Sequence, residues 1–132
     1  MTTQKFPKGS EGLLDRTIDL TGDVRCMLVK SAYTYDAADE FLADLGAVDN
    51  GRTAALAGKT YSGGVFDATD TSLVATSAVA CNALVLFQHT GNDATARVVG
   101  YIDDATGLPF TPGAGQSIPI TWDNGANKIM AI

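Results

Sequence analysis

Ala83-Leu84-Val85-Leu86-Phe87-Gln88-His89-Thr90-Gly91-Asn92-Asp93-Ala94-Thr95-Ala96-Arg97-Val98-Val99-Gly100-Tyr101-Ile102 decides how this chain folds. Two apolar runs flank Gly91-Asn92-Asp93. Gly accepts positive φ, and Asn and Asp side chains bond their own backbone, so these three residues punctuate the chain as a turn. The run at residues 83–87 is apolar at every position, which suits a strand covered on both faces. It is predicted to be a central core strand, paired across the turn with the run at 97–102 as an antiparallel hairpin.

Upstream, Val24-Arg25-Cys26-Met27-Leu28-Val29-Lys30 has Val24, Cys26 and Leu28 on one face and Met27 and Val29 on the other. A strand apolar on both faces is central or covered. Asp36 is a good N-cap, Asp39 and Glu40 favour the positive end of a helix, and Phe41, Leu42 and Leu45 form one stripe. With Gly46 to supply the left-handed stop, the spacing predicts a helix over 37–45.

After residue 50 strand-like runs recur about every ten residues, at 52–57, 59–66, 71–76, 83–89, 96–103, 117–122 and 127–131. Gly58, Gly63-Gly64, Asp67 to Asp70, Gly91-Asn92-Asp93 and Thr106 to Gly115 separate them. The expected fold is mostly β: an antiparallel β-sandwich or barrel of about 7–8 short strands, with one short helix and an extended N-terminal arm. The last two runs flank Asp123-Asn124-Gly125, a strong hairpin signal, so Ser117–Trp122 and Asn127–Ile132 are predicted to pair. Ile118, Ile120 and Trp122 share a face with Ile129 opposite, which makes Trp122, the only tryptophan, a core anchor with its indole N–H near the surface. A ligand platform is the competing reading of Trp122.

At 132 residues the chain is one domain by size and buries enough surface to need no staples. With 45% apolar and 18% charged residues, its composition is that of an ordered globular protein. A net charge of −6 excludes nucleic-acid binding through a general basic surface. Residues 1–10 carry Lys5 and Lys8 and no acid, a formal +2 that leaves −8 on the rest. Pro7, Gly9 and Gly12 break periodicity, so residues 1–12 are expected to be an extended arm on a body of residues 13–132. Ser10 is placed to cap one helical turn through Leu13, Leu14 and Ile18. Only Met1 and Phe6 in the arm have large side chains to bury. An arm of this kind gains order on a partner, with Phe6 as anchor and Lys5 and Lys8 on acidic rims. The competing reading is a solvated, frayed terminus.

Cys26 and Cys81 lie inside apolar runs and are expected to be free thiols, since no Cys-x-x-Cys or His cluster suggests zinc. His89 is the only histidine, and no Gly-x-Ser-x-Gly elbow accompanies it. The glycine-rich Gly113-Ala114-Gly115-Gln116-Ser117 lacks the lysine of a phosphate loop. The acids at Asp36, Asp39, Glu40 and Asp44, at Asp67 and Asp70, and at Asp103-Asp104 read as caps and turn formers, and none matches an EF-hand. These residues suggest no enzyme, no cofactor and no metal. No window supplies the roughly 20 apolar residues of a membrane helix, and no secretory leader is read, so synthesis in the cytoplasm without membrane insertion is expected.

Two phrases carry a resemblance. Asp103-Asp104-Ala105-Thr106-Gly107-Leu108-Pro109-Phe110-Thr111-Pro112 and Ile120-Thr121-Trp122-Asp123-Asn124-Gly125-Ala126-Asn127-Lys128-Ile129 resemble a family of small structural proteins of tailed-bacteriophage virions. Gly58-Lys59-Thr60, Gly64-Val65-Phe66-Asp67-Ala68, Asp70 and the segment 24–45 are similar to it too, so the likeness spans residues 13–132. The chain departs from that pattern at Gly113–Gln116 and in its N-terminal segment. The resemblance implies a virion component, foremost a head decoration or cement protein made in the host cytoplasm. Such a protein binds the outside of the major capsid protein shell, where a local threefold axis favours a homotrimer. The alternatives are a tail, neck or fibre component, with possible host contact left open, or a small cytoplasmic hydrolase using His89 and an Asp.

Overall fold

The computed structural model describes residues 3–105, 107–125 and 128–131. Its centre is an antiparallel five-stranded sheet in the order β1-β7-β6-β2-β3. The strands are β1 (Thr3–Lys5), β2 (Val24–Lys30), β3 (Asp49–Arg52), β6 (Cys81–Gln88) and β7 (Val98–Ile102). The predicted central hairpin is present: Leu84 pairs with Ile102, Val85 with Tyr101, Leu86 with Gly100 and Phe87 with Val98. β2 lies against β6 from Val24↔Gln88 to Lys30↔Cys81, with a register shift after Val29.

Continuous apolar runs arise because both faces of this sheet are covered. Val24, Cys26, Leu28, Leu84 and Leu86 point to one core, which also holds Phe66, Leu73, Ile118, Ile120, Trp122, Ile129 and Met130. Trp122 and Ile129 apart, those residues belong to two two-stranded ribbons that cover this face, β4 (Val65–Phe66) with β9 (Met130–Ala131) and β5 (Thr71–Val74) with β8 (Ser117–Ile120). Met27, Val29, Ala83, Val85 and Phe87 point the other way, to a second core closed by Phe6, Tyr33, Leu42, Leu45 and Val48. The fold is therefore mostly β and antiparallel, with one short α-helix among the described residues.

That helix is α1, Pro7–Leu14, and it lies outside the predicted span. Pro7 at its first position lacks only an N–H that would be unpaired there anyway. Gly9 and Gly12 let it lie close to the sheet: a Cβ on Gly9 would sit 2.6 Å from the Val98 carbonyl oxygen, and one on Gly12 2.6 Å from Ile18 Cδ1. The extended arm of residues 1–12 is thus corrected. Within it, Thr3–Lys5 is an edge strand paired with Gly100–Ile102, and helix follows directly.

The helix predicted over 37–45 reduces to a 3-10 turn at Leu42–Leu45. Asp36 Oδ1 accepts from the Ala38 N–H, a turn contact rather than a cap. Tertiary bonds then claim the backbone: Val98 N–H donates to Glu40 O and Leu42 N–H to Ala96 O. A segment this short has little helical stability to set against them. Leu42 and Leu45 are nonetheless buried, so the apolar stripe was read correctly though its helix was not.

The predicted C-terminal hairpin is also corrected. β8 pairs with β5, from Thr71↔Ile120 to Val74↔Ser117, and β9 with β4. Asp123 Oδ1 accepts from Gly125 N–H, so the chain does turn there. Beyond the turn, Ile129 N–H donates to Phe66 O rather than reaching back to β8. Asn127 and Ile132 of the predicted returning arm lie outside the described residues, as does Met1. The run expected at 59–66 is interrupted by a 3-10 turn at Ser62–Gly64, leaving only Val65–Phe66 as strand.

Candidate partner-binding surface

The N-terminal segment nominated by the sequence is part of the body. Phe6 is completely buried, its N–H donates to Val99 O at 3.1 Å, and its ring lies 5.1 Å from that of Tyr35. It cannot anchor a partner without leaving its own core, which corrects the role expected of it. Tyr35 stacks onward to Tyr101 at 5.5 Å and returns its hydroxyl to Lys5 O at 3.1 Å. Lys5 is exposed and its Nζ donates to Ala131 O at 2.9 Å. Lys8 pairs with Glu11 at 3.2 Å, one turn along α1, with both side chains about half in water. The two lysines remain at the surface, but each already has a partner within the chain.

What α1 offers outward is apolar. Leu14 is 85% exposed, the most exposed large hydrophobic side chain among the described residues, and Leu13 beside it is only partly buried. The pair forms a ridge. An open hollow lined by Lys5 and Ser10 lies on one side, and another lined by Arg16, Ile18 and Leu20 on the other. Where β8 meets the chain after β7 lie two adjoining hollows, one lined by Leu84, Leu108, Phe110 and Ile118 and a more open one lined by Phe110, Gln116, Ile118 and Pro119. Phe110 is held there by a two-way bond with Cys81, at 2.8 and 3.0 Å.

Trp122 is 3% exposed. Its indole N–H donates to Thr69 O at 3.2 Å, and its backbone N–H donates to Asp70 Oδ1 at 2.9 Å. Both phrases of the resemblance therefore sit at structural closures, one across the end of β7 and one clamping β8 to the 69–70 turn.

Sequence reading passed over two buried polar hubs. Asn50 is fully buried inside β3. Its Oδ1 accepts from Thr76 Oγ1, Ser77 N–H and Ser77 Oγ, and its Nδ2 donates to Ser77 O and Cys81 Sγ. One side chain thereby fixes the 76–77 turn. The only signal in the sequence was an Asp-Asn-Gly run, which reads as a loop. Asp39 is 8% exposed and accepts from the Tyr33 hydroxyl at 2.7 Å. Burial raises the Asp39 carboxyl above its usual range and pushes the Tyr33 phenol well up as well.

Several of the candidate acids have structural partners. His89 is half-buried, its backbone N–H donates to the Asp23 backbone carbonyl, and its imidazole ring lies 6.4 Å from that of Phe87. Asp44 accepts from the Glu40 and Phe41 N–H groups, Asp67 pairs with Lys128, and Asp93 pairs with Arg52. The Arg52 guanidinium, bonded to Asp93, holds that carboxyl low. Cys26 and Cys81 are free and buried, and burial pushes the Cys26 thiol up to about 12. Among the described residues, no group of three or more His, Cys, Asp or Glu side chains is placed to hold a metal ion. Likewise, no helix among them is long and apolar enough to cross a membrane.

No family model, no curated protein and no solved structure matches the chain.

Proposed function

We propose that this protein is a structural component of a tailed-phage virion, a decoration protein that binds the outside of the major capsid protein shell and has no catalytic role. One observation carries the reading: the phrases at 103–112 and 120–129 resemble those of small virion proteins. The geometry is compatible with adhesion. Asp44, Asp67 and Asp93 are used in turn contacts and ion pairs, and the exposed features include the apolar Leu13-Leu14 ridge. Such a body stabilises a shell by binding only the assembled state, which shifts the equilibrium by mass action. Around a threefold axis its self-contacts close as a cyclic trimer.

Imaging tests this. Purified protein is added to expanded particles that lack it, and the particles are reconstructed. The expected result is regular density on the outer shell together with a raised particle disruption temperature. Density confined to the neck, tail or fibres would move the protein elsewhere on the virion, and no density at all would refute the reading.

A further inference from the structure

We propose that Asn124 is a site of self-modification, in which the Gly125 backbone nitrogen attacks the Asn124 carboxamide and the residue ends as a carboxylate. This goes beyond the virion reading and does not depend on it.

The chain contains the tripeptide Asp-Asn-Gly twice, at 49–51 and at 123–125. Asparagine is among the thermolabile residues, and a glycine after it has no Cβ to screen the attacking nitrogen. In the reaction the Gly nitrogen gives its proton to water and bonds to Asn Cγ. The Cγ–Nδ2 bond breaks, and ammonia leaves with a proton taken from water. The product is a succinimide ring. Water then adds at either ring carbonyl, opening it to aspartate from one and to isoaspartate from the other. Nothing is oxidised or reduced, and water is the co-reactant throughout.

One local contact is common to both copies. Asp49 Oδ1 accepts from the Gly51 N–H at 2.8 Å, and Asp123 Oδ1 accepts from the Gly125 N–H at 3.1 Å. The carboxamides differ. Asn50 is fully buried, and its carboxamide is held by bonds to Thr76, Ser77 and Cys81. Closing a ring there would break those bonds and strand buried donors. Gly51 is buried too, which keeps water from the ring. Asn124 and Gly125 are both exposed, and no hydrogen bond joins the Asn124 carboxamide to another described residue. Its side chain can turn onto the next nitrogen, with water at hand to take the ammonia and open the ring. The fold thus protects one copy of the tripeptide and leaves the other reactive.

The reactive copy sits between two closures. Residues 123–125 carry the chain from Trp122, bonded to Thr69 O, towards Ile129, bonded to Phe66 O. Conversion takes the formal net charge from −6 to −7, one carboxylate being added, and isoaspartate also puts an extra carbon into the backbone of the turn.

The test incubates the folded full chain in mildly alkaline buffer beside the same chain held unfolded in urea, then digests both with trypsin. Asn50 falls in the peptide 31–52 and Asn124 in the peptide 98–128, so mass spectrometry with fragmentation follows each separately. Methyl labelling by an isoaspartate-specific methyltransferase counts the isoaspartate. In the folded chain Asn124 is expected to convert at least about tenfold faster than Asn50, which reacts only through local opening. In urea the two are expected to convert within about threefold of each other, since that protection is gone. Gly125→Ala is expected to slow Asn124 at least about tenfold by screening the nitrogen, and to keep the fold, because its Cβ meets only the Asp123 carboxylate. Should that variant melt early, Asn124→Gln serves instead and is expected to remove the isoaspartate label from 98–128. Asn50 keeping pace with Asn124 in the folded chain, Asn124 staying intact while the unfolded chain converts, Gly125→Ala converting as fast as wild type, or label persisting in Asn124→Gln would each overturn the proposal.

Discussion

Replacing Phe6 by Ala separates an integrated N-terminal segment from a free arm. The side chain is fully buried, against the Tyr35 ring and within the core cluster that also holds Val98 and Tyr101. Withdrawing a buried Phe from apolar surroundings costs about 1.5–3 kcal/mol in transfer alone. The void adds about 24 cal/mol per Å3 wherever the neighbours fail to collapse into it, which brings Phe→Ala to about 3–5 kcal/mol. At this chain length, 1 kcal/mol corresponds to roughly 3–5 °C, so the melting temperature is expected to fall by about 10–20 °C. Reversible melting followed by far-UV circular dichroism measures it, with Lys8→Ala as the control. The exposed Lys8–Glu11 pair contributes no more than about 1 kcal/mol, so that control is expected to shift little. Deleting residues 1–10 is expected to be more severe still, since it removes β1, Phe6 and half of α1. If Phe6→Ala melts within about 2 °C of wild type, the segment does not pack as described and the reasoning fails.

Trp122→Ala is expected to cost about 3–5 kcal/mol in urea unfolding, whereas Trp122→Phe, which loses chiefly the bond to Thr69 O, should cost less; equal losses would mean that packing is not what holds the indole. Asn50→Ala strands the Ser77 N–H and the hydroxyls of Thr76 and Ser77, so a loss of about 3 kcal/mol or more is expected, and one below about 1 kcal/mol would show that water replaces the side chain readily. Asp39 has a folded pKa raised above its unfolded value, so the folded state binds this proton more tightly and the charged form is a liability at neutral pH. Asp39→Asn keeps an acceptor for Tyr33 and removes that liability. It is expected to be more stable than wild type at pH 7, with the difference shrinking as pH falls through the raised carboxyl value; a difference that stays constant with pH would contradict this.

The central hairpin was legible because its evidence is local. An unbroken apolar run followed by Gly91-Asn92-Asp93 leaves few alternatives, and β2 gave itself away by being apolar on both faces. Pairings that join distant segments left no such trace. Nothing near Ile120 announces that its partner is Thr71, so a strong local turn at Asp123–Gly125 suggested a hairpin that tertiary pairing overrode. Asp36 to Gly46 carried plausible helix signals, yet the backbone bonds to Ala96 and Val98 took the segment instead. At the N-terminus, Gly9 and Gly12 looked like breakers. Their use is close approach to β7 and Ile18, which only a helix placed against a sheet makes visible. The outward ridge was half legible: Leu13 and Leu14 were assigned to a helical turn, but not their exposure.

The contacts that tie β1 to the end of the chain have a use in protein engineering. Lys5 Nζ reaches Ala131 O, and the Thr3 hydroxyl donates to Ile129 O. Residues 3–5 and 129–131 therefore lie side by side on the body. A short linker between Thr3 and Ala131 can close the chain there, and new ends can be opened in the exposed loop at Gly91-Asn92, giving a circular permutant that keeps every strand pair described. A cargo attached ahead of Thr3 and another attached after Ala131 would be held side by side.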